Sequence, residues 1–104
     1  MVFIETTVFT KHLSAYLTDD EYLGLQNLLL RFPETGKPVP GSGGVRKLRW
    51  GTKGRGKRGG IRVIYYLKRI DDAIWLLTLY HKNETVTLPA HVLKQIAPET
   101  EHAK

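Results

Sequence analysis

A chain of 104 residues, 41% hydrophobic and 25% charged, is sized for one packed core, which excludes a two-domain protein and wholesale disorder. With no cysteine it has no disulfide, no thiolate metal site and no cysteine nucleophile, a composition that fits a reducing, cytoplasmic setting. The net charge of +6 directs attention to a polyanionic partner.

The N-terminal MVFIETTVFTKH lacks a cationic stretch followed by a long apolar one, so it does not read as a signal peptide. The apolar runs are too short to span a bilayer, and a soluble protein is expected. Val2 to Glu5 reads as a short strand. From Thr7 to Leu17, Phe9, Leu13 and Leu17 recur every four positions and share one helical face. Thr18 followed by Glu21 has capping-box spacing and starts a second helix, whose stripe is Tyr22, Leu25, Leu29 and Phe32 and which Pro33 ends. Pro33 to Gly44 is a Pro/Gly-rich connector. Val45 to Trp50 is a strand with Val45, Lys47 and Arg49 on one side and Arg46, Leu48 and Trp50 on the other. Gly51 to Gly60 is a loop. Ile61 to Lys68 and Ile74 to Tyr80 are strands joined through Asp71-Asp72, and the continuous apolar IWLLTLY predicts a strand covered on both faces. A last helix is expected from Leu88 to Ala97, and residues 98–104 form a flexible tail. The order β-α-α-β-β-β-α predicts a single α+β domain, a mainly antiparallel sheet with a helical hairpin on one face.

Charge is strongly segregated. Between Thr35 and Ile70 lie 11 of the 16 Lys and Arg residues and no Asp or Glu. A merely solubilising surface would intersperse the signs, because like charges repel. No amphipathic helix coincides with this segment, so nucleic acid rather than a membrane is the expected partner. Five of the ten loop residues from Gly51 to Gly60 are glycine, and four, Lys53, Arg55, Lys57 and Arg58, are cationic. Such a loop brings backbone and charge close to a phosphate chain. Lys47 and Arg49 project from one strand and Arg62 from the next, and one concave surface can hold all three. Tyr66 shares the parity of Arg62 and is a candidate stacking platform.

This cluster suits RNA cleavage without a metal. A ribose 2′-OH loses its proton and attacks the adjacent phosphate, and guanidinium groups stabilise the charge that builds on the phosphorane. A lysine crowded by other cations gives up its proton more readily, which makes Lys47 the candidate general base. Arginine stays protonated, so Arg49 and Arg62 are charge stabilisers. Lys82 and His81 are both candidates for the general acid. The histidines His12, His81, His91 and His102 show no metal-ligand spacing, and no cofactor is expected.

The runs GGVRKLR, KGRGKRGGIRVIYY and LLTLYHKNE resemble the RelE-like toxins of type II toxin–antitoxin systems, closest to the HigB-type branch, across residues 2 to 97. The resemblance implies an mRNA endonuclease (an mRNA interferase) that enters the ribosomal A site, arrests translation and leaves a 2′,3′-cyclic phosphate and a 5′-hydroxyl. By position it gives Lys47, Arg49, Arg62 and Lys82 the catalytic part. It assigns RNA or ribosome contacts to the basic loop Lys53, Arg55, Lys57 and Arg58, with Arg46, Tyr66, His81 and Asn83 beside it. Asn83 stands where RelE itself has arginine, and Leu88 and Thr87 replace a tyrosine and an aspartate of the family pattern, so acid and stacking partner stay open. The implied partners are ribosomal RNA, mRNA and a HigA-like helix-turn-helix antitoxin. The alternatives are a ParE-like DNA gyrase inhibitor, which generally lacks the paired strand cations, and an RNA-binding module without catalysis.

Overall fold

The computed structural model describes residues 1–51 and 60–81. Its elements are β1 (Val2–Glu5), α1 (Thr7–Tyr16), α2 (Asp19–Arg31), β2 (Lys37–Pro38), β3 (Val45–Trp50), β4 (Ile61–Lys68), a 3-10 turn at Arg69–Asp71 and β5 (Ala73–His81). They form an α+β fold around a five-stranded sheet in the order β1-β5-β4-β3-β2. β1 runs parallel to β5, and the other three pairings are antiparallel. The expected last helix and the basic loop fall outside the described residues.

Local chemistry sets the helix ends. Thr6 caps α1 by accepting from the Phe9 amide at 3.1 Å, and its hydroxyl donates to the Leu77 carbonyl at 2.9 Å, which ties the helix start to β5. The Thr18–Glu21 capping box is formed at both bonds. Asp19, Asp20 and Glu21 in the first turn of α2 and Arg31 in its last complement the helix dipole. Leu17 is extended rather than helical, so α1 stops at Tyr16.

Both helices cover the same face of the sheet. Phe9, Leu25 and Leu29 pack there with Leu48, Val63, Tyr65 and Leu76. Each fully buried Leu or Phe side chain contributes about 1.5–3 kcal/mol. A second cluster lies on the opposite face and joins Val45, Ile64, Tyr66, Trp75 and Leu77. β5 is therefore buried on both faces, as its unbroken apolar run predicts. A register shift between Ile64 and Tyr65 leaves Leu77 as the extra residue on β5, a bulge that carries Trp75 and Leu77 into this second cluster.

The connector holds an element that its Pro/Gly content concealed. Lys37–Pro38 pairs antiparallel with Arg46 and Lys47 as the edge strand β2. Proline is tolerated there because an edge strand needs no amide on its outer side. The turn back to β3 is closed by Ser42, fully buried, which donates to the Val39 carbonyl and accepts from the Val45 amide. Gly44, at φ 111°, sits against the Tyr66 ring and has a backbone conformation that L side chains rarely adopt.

Candidate nucleic-acid interface

The strand alternation places Lys47 and Arg49 on the sheet face away from the helices, beside Val45, while Leu48 turns to the helical core. Arg49 lies directly opposite Arg62 in the β3–β4 register, and Lys47 lies opposite Lys37 of β2. These four cations share a groove of about 600 Å³. One wall is the connector, with Thr35, Pro38, Val39 and Pro40, and the other is β3 and β4. No carboxylate belongs to the described lining. Like charges directly opposite one another cost stability, so two adjacent cationic rungs are unfavourable unless an anion lies between them. Among the described residues no group of three His, Cys, Asp or Glu side chains is arranged to hold a metal ion.

The connector wall is held from beneath. The Tyr65 hydroxyl donates to the Pro33 carbonyl at 2.8 Å and accepts from the Gly36 amide at 2.9 Å. Burial pushes its pKa above the usual tyrosine value, while the Gly36 amide and the Arg46 charge pull it down. Gly36 has no room for a side chain, because a Cβ would lie 2.8 Å from the Tyr65 ring and 3.1 Å from the Lys47 carbonyl oxygen. Arg46 donates to the carbonyls of Glu34 at 3.1 Å and Gly36 at 2.7 Å. Arg69 pairs with Glu34. The wall and the sheet are therefore one unit.

The residues singled out in the sequence divide into three groups. Lys47, Arg49 and Arg62 come together in the groove. Arg46, Tyr66 and His81 do not line it. Arg46 points to the helical face and braces the connector. Tyr66 shares the groove's face but is buried beneath Gly44, which leaves little ring surface for a base. His81 packs edge-on against Tyr16 of α1 at 4.9 Å, on the helical side. Lys53, Arg55, Lys57, Arg58, Lys82 and Asn83 lie outside the described residues.

One groove residue, Lys37, and one neighbour of the groove, Tyr80, escaped the sequence reading. Lys37 sits in a stretch that reads as loop, and only its pairing with Lys47 reveals it. Tyr80 is the cross-strand neighbour of Arg62 on β5 and packs at the margin of the second cluster. Burial raises its hydroxyl pKa and Arg62 lowers it, with burial dominant, so at neutral pH it remains a proton donor. Its parity with Arg62 becomes visible only when the β4–β5 register is known. No protein-family model matches the chain.

Proposed function

We propose that this protein is a metal-independent endoribonuclease that cleaves mRNA in the ribosomal A site, the toxin of a HigB-type toxin–antitoxin pair with a RelE-like fold. The observation that carries the reading is the groove shared by Lys47, Arg49 and Arg62, with no carboxylate among its described lining residues. It matches the demands of phosphodiester transesterification, which needs fixed positive charge where the phosphorane gains negative charge. Lys47, as general base, takes the 2′-OH proton, and the 2′-oxygen bonds to phosphorus. Arg49 and Arg62 hold the non-bridging oxygens. The bond from phosphorus to the 5′-oxygen breaks, and that oxygen takes a proton from a general acid. Lys82 and His81 are the candidates for this step that the sequence offers. Tyr80, the cross-strand neighbour of Arg62, is a further one. The products are a 2′,3′-cyclic phosphate and a 5′-hydroxyl. A HigA-like antitoxin restrains the activity in the cytoplasm. The basic loop from Lys53 to Arg58 contributes ribosomal contacts that make cleavage ribosome-dependent.

The test is a defined translation mixture in which mRNA 5′ ends are mapped with and without ribosomes. Wild-type protein is expected to create new ends at A-site codons only with ribosomes present. The Lys47→Ala/Arg49→Ala/Arg62→Ala variant, folded by circular dichroism, should create none. Intact mRNA with wild-type protein at full ribosome occupancy would overturn the reading and turn attention to gyrase inhibition or passive RNA binding.

A further inference from the structure

The chemistry proposed above uses Lys47 and the rung formed by Arg49 and Arg62, and leaves Lys37 without a part. The groove carries a second rung, Lys37 opposite Lys47, beside the Pro38, Val39 and Pro40 wall. We infer that this second rung adds a nucleotide subsite, in which Lys37 holds the phosphate next to the scissile one and the apolar wall supports its base, while Lys47 stays with the reacting 2′-OH. The inference rests on the ribonuclease reading and adds Lys37 as a substrate-binding residue.

Three observations carry it. First, Lys47 and Arg49 are two residues apart on β3, which sets the rungs about 7 Å apart along the strand, a spacing comparable with that of successive phosphates on an extended single strand. Second, Lys37 and Pro38 are exposed and line the groove rather than the core, so Lys37 is available to an incoming anion. Third, the connector that carries Lys37 continues into two prolines and a valine that line the groove. Single strands are held by a cationic groove that follows the backbone beside side chains that take the bases; aromatic rings commonly fill the second part, and here the apolar faces of Pro38, Val39 and Pro40 stand in their place. A stiff wall also loses little conformational entropy on binding, because proline has few conformations to give up. The groove, braced by Tyr65 and Arg46, is thus formed in the free protein. A duplex does not offer its bases to such a wall, so single-stranded RNA is the occupant.

The experiment uses the full-length protein and a short 2′-O-methyl RNA oligonucleotide, which cannot be cleaved, with binding read by fluorescence anisotropy across a salt series. Lys37→Met keeps the aliphatic stem and removes the charge. It is expected to weaken binding several-fold at low salt and to reduce the slope of log K against log salt by about 0.7, the signature of one lost single-strand phosphate contact. In the ribosomal cleavage assay the same variant should raise KM by a larger factor than it lowers kcat, because its phosphate is not the one attacked. Loss of RNA binding in Lys47→Ala/Arg49→Ala/Arg62→Ala with no change in Lys37→Met would overturn the subsite and leave the ribonuclease reading standing. Equal binding of duplex and single strand would overturn the single-strand assignment. Wild-type protein that fails to bind the oligonucleotide even at low salt would overturn the subsite. If that protein still cleaves mRNA on the ribosome, the parent reading survives.

Discussion

Tyr65 shows how one buried hydroxyl organises the groove from the far side of the sheet. Its ring belongs to the helical core, yet its oxygen bonds both ends of the Pro33–Gly36 turn, and that turn sets where Thr35 and Lys37 stand. Tyr65→Phe removes the oxygen and leaves a buried amide and carbonyl without their partner. A loss of about 1–3 kcal/mol in unfolding free energy is expected from urea denaturation. Cleavage should fall as well, through misplacement of the connector wall rather than loss of a catalytic group. Arg46 is the companion case. On pattern it is one more cation in a basic strand, but its alternation sends it away from Lys47 and Arg49. Its guanidinium then has two carbonyls to satisfy, so its charge serves the connector.

At the scale of elements, β3 and β4 place function and stability in opposition. Arg49 and Arg62 face each other directly in an antiparallel register, where like charges are unfavourable. Arg49→Thr puts a β-branched residue on an exposed strand position and removes the repulsion. It is expected to raise stability by up to about 1 kcal/mol in chemical denaturation while abolishing mRNA cleavage. A variant that lost both stability and activity would show that Arg49 supports the fold instead. The helical layer carries no such conflict. Its caps, first-turn acids and apolar stripes all favour the same structure, as expected for elements whose task is to cover the sheet.

For the whole molecule, three tyrosines make stability sensitive to alkali. Tyr22, Tyr65 and Tyr80 all have raised pKa values, each chiefly through burial, and Tyr22 further because its hydroxyl donates to Glu5 at 2.7 Å. The folded state therefore holds these protons above pH 10.0, where the unfolded chain releases them. A group whose folded pKa is raised contributes stability that is complete below its unfolded pKa and is lost as pH rises past it. The melting temperature should thus fall progressively as pH rises above about 10, and Tyr22→Phe should flatten that fall. An unchanged slope in Tyr22→Phe would assign the alkaline loss to other groups. No described helix is long and apolar enough to cross a membrane.

What the sequence determined by itself was local. The 3.6-residue stripes, the Thr18–Glu21 box and the Pro33 stop placed the helices, period-two alternation placed β3, and an apolar run bounded by turn residues placed β4, because these signals depend on neighbours along the chain. Alternation also put Lys47 and Arg49 on one face, so half of the candidate site was legible before any fold was known. Tertiary structure decided the rest, since pairing partners are distant in sequence and set by packing. Only the sheet order shows that β1 runs parallel to β5, and only the β2–β3 ladder turns Lys37 from a loop lysine into the partner of Lys47. Tyr66 and His81 stand outside the groove for the same reason. Parity shows which residues share a face, but not what buries that face or which helix lies against it.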